Sequence, residues 1–210
     1  MLEIDGSQKS GSGTILRLSV ALASILHESL HIYNIRKKRG QPGLRPQHLE
    51  SVILASRICN AEVKGAKLGS RELWFKPNEI SGGQFCAEIG TAGSIPMLLM
   101  TVIPICAFSK HNIILRVVNG GTDVRNSPTI NYIKHVFLPT LELMGLKTSL
   151  SVKKYGYYPS IGNRNKDHTY RRHPSALKGY TQRKHIQLRD RIPSHSFNHT
   201  KSFRPLNRSR

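Results

Sequence analysis

The sequence predicts an α+β fold assembled from two copies of one unit, and three observations carry the prediction. Helix-like and strand-like apolar periods alternate through the first 159 residues. A small-residue loop leading into a helix occurs twice, with Ser94 standing 87 positions after Ser7, and a proline at the start of a later helix recurs 82 positions apart, at Pro46 and Pro128. From residue 160 onward the pattern stops, since only 11 of the last 51 residues are apolar and they follow no period. A unit of ~85 residues repeated twice explains this order, and two helices laid on one side of each small sheet is the natural layering.

The elements follow in order. Residues 2–4 form a short strand that breaks at Asp5-Gly6-Ser7, and a flexible Gly/Ser loop then leads to a helix over 14–27. Ile15, Leu16, Leu18, Ala21, Leu22, Ile25 and Leu26 give that helix a broad apolar face. A strand over 30–35 runs into four cations, Arg36, Lys37, Lys38 and Arg39, and then a Gly/Pro turn. The next helix, 46–60, opens on Pro46, a position where the missing N–H costs nothing, and turns Leu49, Val52, Ile53 and Ile58 inward. After a turn over 64–70, residues 72–76 form a strand containing Trp74 and Phe75. The order then restarts with a strand over 84–89, a GTAGS loop at 90–94, a helix over 95–108 that Pro104 should kink, and a strand over 112–118. A helix over 128–144, with Ile130, Ile133, Val136, Phe137, Leu141 and Met144 inward and Gly145 as its stop, precedes a strand over 147–154. Ser94 is expected to cap its helix. Three units result: a first repeat over 1–80, a second over 81–159, and a basic tail over 160–210 that is too poor in apolar residues to fold and is expected to be disordered.

Charge narrows the partners. The net charge of +20 is concentrated in the tail, where 13 Lys and Arg face 2 Asp. Such an excess attracts polyanions, RNA and DNA first among them. The most apolar run, 95–108, is shorter than the ~20 residues of a membrane helix and holds two prolines; no secretory leader is expected, and the chain is placed in the cytoplasm, or in the nucleus of a eukaryote. Cys59, Cys86 and Cys106 lack the spacing of a zinc site or a disulfide framework and are read as buried thiols.

The stretch from Asn34 to Glu50, NIRKKRGQPGLRPQHLE, holds the candidate site. Free N–H groups and the positive end of the dipole at a helix mouth suit an anion, so Gln47 and His48 stand where a phosphate would dock, beside Arg39 and Arg45. A charge run alone is more often a solvated loop, but packing has no use for a Gln-His pair at a helix mouth. Arg17 read alone could equally snorkel to solvent, and Asp123 and Arg125 are read as turn residues with local hydrogen bonds.

Several spaced motifs together resemble the N-terminal half of the RNA 3'-terminal phosphate cyclase family. They are IDGS at 4–7, GTILR at 13–17, IRxxRxxPGLRPQHL from Ile35 to Leu49, GTAGS at 90–94, GGTDVxxSPxIxY at 120–132, and KKYGYYP ending at Pro159. The resemblance implies tandem βαβαββ repeats and ATP- and Mg²⁺-dependent conversion of an RNA 3'-phosphate to a 2',3'-cyclic phosphate, through enzyme-AMP and RNA-adenylate intermediates. The implied partners are ATP and RNA with a 3'-phosphate end. Carried onto this sequence, the resemblance places Arg17, Arg39, Gln47 and His48 in the site, with Arg36 and Arg45 as further forked cations for phosphate oxygens. His48 is then a hydrogen-bonding residue for a phosphate or ribose rather than a nucleophile. Pro128 falls where the family's nucleotide contacts pass, and Met100 holds a position that in the family offers the nucleotide a Gln.

The departures bear on activity. The family's first loop reads roughly GEGGGQ, but here it is Lys9-Ser10-Gly11-Ser12-Gly13-Thr14, so the acid suited to a hard metal ion is gone. The family's nucleophilic histidine lies in its C-terminal portion, and His168, His173, His185, His195 and His199 stand in no context that aligns with it. The chain is therefore expected to be truncated and inactive by itself, and the change of character after Pro159 is read as a switch of reading frame. A non-catalytic, cyclase-like RNA-binding protein of ribosome biogenesis is the alternative.

Overall fold

The computed structural model describes residues 1–90 and 93–157, and the backbone of 168–171. The first repeat runs β1 (Leu2–Asp5), α1 (Gly13–Leu26), β2 (Leu30–Tyr33), α2 (Pro46–Ile58), β3 (Glu62–Lys64) and β4 (Leu73–Lys76). Its strands lie in the order β1-β2-β4-β3, with β1 parallel to β2 and the other pairs antiparallel. The second repeat has β5 (Gly83–Glu88), α3 (Ile95–Ala107) and β6 (Ile113–Val118), then a helical stretch, β7 (Ser149–Ser151) and β8 (His168–Arg171). Its order, β5-β6-β8-β7, repeats the first sheet strand for strand and sense for sense. The α+β reading with tandem βαβαββ repeats is therefore what the chain adopts.

Helix packing joins the repeats. α3 lies against both α1 and α2, and Val20, Ala23, Leu54 and Ala55 of the first repeat share one buried cluster with Leu98, Leu99, Val102 and Ile103 of the second. Ala23 and Ala55, both fully buried, let helix axes approach closely. Each of the larger aliphatic side chains contributes on the order of 2 kcal/mol by leaving water, so the core is one body built by both repeats.

Several expectations are corrected. β8 falls inside the tail expected to be disordered from residue 160, and it supplies the strand that pairs with both β6 and β7; a four-residue strand disappears in a composition averaged over 51 residues. The rest of the tail, with its histidines and any change of frame, lies outside the described residues. Pro128 does not open the last helix of the second repeat. Thr129 caps it, its side chain accepting from the Tyr132 N–H at 3.0 Å. α4 (Ile130–Tyr132) passes into a π-helical turn (Ile133–Phe137) and then α5 (Leu138–Leu143). Pro139 has no N–H for the carbonyl of His135, and the Leu138 N–H bonds instead to the Ile133 carbonyl five residues back. The extra residue in that turn rotates the helix, so Val136 and Met144, expected inward, are exposed. On α1, Leu18, Leu22 and Leu26 are likewise exposed, because that helix is apolar on more faces than it has partners to cover. Cys86 is an exposed thiol on β5, whereas Cys59 and Cys106 are buried as expected.

Candidate functional site

Three helix N-termini meet where the repeats join. α1 starts after a loop tightened by left-handed Lys9 (φ 47°) and Gly11 (φ 56°), and Ser12 caps it by accepting from the Thr14 N–H at 3.3 Å. α2 starts at Pro46 with Arg45 as its extended N-cap residue, and His48 Nδ1 accepts from the Arg45 N–H at 3.3 Å. α3 is capped by Ser94, whose hydroxyl accepts from the Met97 N–H at 3.2 Å, as expected. Each start is tied to another. The His48 ring lies so close to Gly13 that a Cβ there would stand 2.1 Å from Nε2. Gln47 Oε1 accepts from the Ser94 N–H at 2.9 Å, and Arg17 Nη2 donates to Met97 Sδ at 3.4 Å and Thr14 Oγ1 at 3.3 Å. The basic turn after β2 closes over the α1 loop, Lys38 Nζ donating to the Lys9 carbonyl at 3.3 Å.

Cations crowd this junction. Arg17 is only 8% exposed; burial first, and the nearby Arg36 second, lower its pKa to about 10, so it stays charged at neutral pH. Arg36, left-handed at φ 56°, spreads its guanidinium over the turn, Nη1 donating to the carbonyls of Gln41 at 2.6 Å and Gly43 at 2.9 Å. Its pKa too is lowered, by burial and then by Arg45 and Arg39. His48 is pushed down to about 3 by burial, followed by Arg17, Arg36 and Arg45. It is therefore a neutral ring, and with Nδ1 accepting, the proton sits on Nε2. Among the described residues no carboxylate lies within 4 Å of Arg17, Arg36, Arg39 or Arg45. Asp5, at the end of β1, turns to its own loop, accepting from the Ser7 N–H at 2.9 Å, a bond that holds its carboxyl below the usual range. Arg17 is buried and Arg36 partly so, with Arg39 and Arg45 exposed; like charges this close, beside helix N-termini, repel one another.

The candidate residues are gathered unequally. Arg17, Arg36, Arg45, Gln47 and His48 share the junction, and Arg39 stands exposed on its rim, facing Arg36. His48, expected to reach a phosphate or ribose, is instead 4% exposed and wedges α1 against α2. Pro128 lies half-buried beside Ser127, whose hydroxyl is 2.6 Å from that of Ser94. Met100, on α3, packs against the core. Gly13, Met97 and the Ser94–Ser127 pair escape sequence reasoning, and only the GTILR run at the start of α1 hints at the first. No group of three or more His, Cys, Asp or Glu fit to hold a metal ion occurs among the described residues, and no helix among them is long and apolar enough to cross a membrane.

Comparison with known proteins gives this geometry its context. A family profile described as RNA 3'-terminal phosphate cyclase matches residues 8–181 and so continues past Pro159. Curated relatives bearing that name include one from Methanosarcina barkeri, 46% identical over 164 residues, which cover 78% of this chain and 49% of the relative. Another, from Metallosphaera sedula, is 45% identical over 177 residues, covering 84% and 52%. A third, from Pyrococcus furiosus, is 42% identical over 162 residues, covering 77% and 47%. The chain thus spans about half the length of the curated relatives it matches. With the profile covering most of its length and the motifs falling around one cationic junction, the chain belongs to the RNA 3'-terminal phosphate cyclase family.

Proposed function

We propose that the junction of the three helix starts is the end-binding cradle of an RNA 3'-terminal phosphate cyclase. It holds the 3'-phosphate of an RNA for ATP-dependent conversion to the 2',3'-cyclic phosphate. The observation that carries this reading is the mutual approach of Arg17, Arg36, Arg45 and the neutral His48 with no carboxylate among them. A terminal phosphate carries close to two negative charges with oxygens in three directions. Guanidinium forks and helix-start N–H groups match that shape and charge, and they also suit charge spreading during phosphoryl transfer. Arg17 and Arg45 bind, Arg36 closes the rim through its hold on the Gln41 and Gly43 carbonyls, Arg39 gathers the approaching strand, and Gln47 keeps the two repeats in register. ATP supplies the activating nucleotide, and Pro128, close to the α3 start through Ser127, borders the space for it. Met100, packed into the core, offers no polar contact. Mg²⁺, expected from the family, finds no ligand cage among the described residues, and no step here runs through it.

Filter binding of matched RNAs ending in 3'-phosphate or 3'-hydroxyl tests the reading. The phosphate-ended RNA should bind at least tenfold more tightly, and Arg17→Ala should erase most of that difference while Arg39→Ala mainly weakens both RNAs and flattens their salt dependence. Equal binding of the two ends by the unaltered chain would refute it. Labelled ATP separates catalysis from binding: a covalent AMP adduct on this chain would show that it carries its own nucleophile, and its absence alongside end discrimination fits a binding half.

A further inference from the structure

The outer face of the first sheet carries a row of rings that the core does not use. In register across the four strands stand Glu3, His31, Trp74 and Lys64. The His31 and Trp74 rings are stacked, with centroids 4.6 Å apart and planes 7° from parallel. Tyr33 continues the row at 5.6 Å from His31. Trp74 remains 39% exposed; His31 is partly buried beneath it, its Nδ1 lying 3.8 Å from Glu3 Oε1 and its Nε2 covered and unpartnered among the described residues. On β5 and β6 of the second repeat the outward positions carry no such row: they are Gln84, Cys86, Glu88, Ile114, Arg116 and Val118. The same topology therefore stands without it.

Charge says what the rings face. Tyr33 ends β2 three residues before Arg36, so the row leads out of the cradle. The turn after β2 and the loop before β4 are zipped together by the Ile35 N–H to Arg71 carbonyl bond at 2.9 Å and the Leu44 N–H to Ser70 carbonyl bond at 2.9 Å. Along this edge Lys37, Lys38, Arg39, Lys64, Lys67 and Arg71 are exposed, and none has a carboxylate within 4 Å among the described residues. An exposed tryptophan, backed by two partly buried rings and bordered by cations, suits one polyanion above others, a single-stranded nucleic acid whose bases stack while its phosphates meet the lysines. We infer that Tyr33, His31 and Trp74, with this basic edge, form a stacking track for the RNA strand that leads to the cradle. The inference rests on the end-binding reading and adds where the body of the RNA lies.

Trp74 is the chain's single tryptophan, so its fluorescence reports on the track alone. The full chain is titrated with 3'-phosphorylated oligouridylates of two and ten nucleotides and with 3'-hydroxyl counterparts. The ten-mer should quench Trp74 and bind about tenfold more tightly than the dimer, a size consistent with stacking of one or two bases. Trp74→Leu should remove that gain and leave dimer binding unchanged. Trp74→Phe should restore most of it, and the double replacement Lys64→Ser, Lys67→Ser, which leaves the rings intact, should reduce it. Equal binding of dimer and ten-mer with unchanged emission would overturn the track and leave the cradle standing. Loss of all preference for the 3'-phosphate would overturn the cradle, and with it a track leading there. Emission that shifts with protein concentration in the absence of RNA would assign the face to a protein partner and overturn the inference as well.

Discussion

Replacing Gly13 with Ala tests whether the junction is as tightly built as its contacts imply. The new Cβ would stand 2.1 Å from His48 Nε2, 2.5 Å from Cδ2 and 3.0 Å from Cε1. Gly13 opens α1, so helix propensity taken alone favours Ala by up to ~1 kcal/mol. The ring cannot give way freely, being 4% exposed and held by the Arg45 N–H. Overpacking costs about 1–3 kcal/mol and loss of the ring's hydrogen bond about 1 more. The net is a destabilisation of roughly 2 kcal/mol, which in a chain of this length lowers Tm by about 4–8 °C. Because the wedge sets α1 against α2, Arg17 and Arg45 should also separate, and preference for phosphate-ended RNA should fall at least tenfold. Thermal unfolding and filter binding on the same preparation read both effects. A double variant, Gly13→Ala with His48→Ala, should regain much of the lost stability relative to Gly13→Ala alone. A Gly13→Ala chain as stable as the original, with end preference intact, would refute the interlock.

Two further outcomes follow from particular groups. His48 has its pKa lowered from 6.5 to about 3 by burial and three arginines; the unfolded chain then binds the extra proton between these values, so stability falls as pH drops from about 6.5 toward 3. Urea midpoints across that range should show the slope, and His48→Asn, which keeps an acceptor for the Arg45 N–H, should flatten it; an unchanged slope in the variant would remove His48 as its source. Pro139→Ala should let the π-helical turn relax to α-helix and raise Tm by a few degrees without touching end preference, since among the described residues no hydrogen bond or ion pair joins that turn to the junction; a lowered Tm would show that the turn is held by packing rather than by the proline.

How much of this was legible depended on the range of the interaction. The duplication could be read from spacing, because a loop, a helix and a proline just before or at the start of a later helix recur in register, and Pro46 and Ser94 behave at their helix starts as local rules require. β3 and β8 could not, since strands of three and four residues exist through pairing with neighbours rather than through their own period. At the site, Arg45, Gln47 and His48 announced themselves as polar residues at a helix mouth. What they do there was hidden. His48 meets a glycine 35 positions earlier, and Gln47 meets a backbone N–H 47 positions later in the other repeat. An exposed ligand-binding histidine and a buried wedge look alike in one dimension.

The topology explains why a cationic hollow arises at this place. β1 and β2 are parallel, and a helix follows each after a loop, so α1 and α2 both begin at the carboxyl edge of that pair, where crevices of parallel sheets bind ligands. β5 and β6 repeat the arrangement, and α3 begins at the corresponding edge of the second sheet. Laying α3 across α1 and α2 brings its start to the other two. Three positive helix ends would repel one another and the arginines beside them, so the junction needs ties that add no charge: a glycine filled by a neutral ring, an amide on a backbone N–H, and a thioether under a guanidinium. All three are present. The core helices therefore hold like charges together at one place, and on the proposed function an incoming phosphate would lower their repulsion.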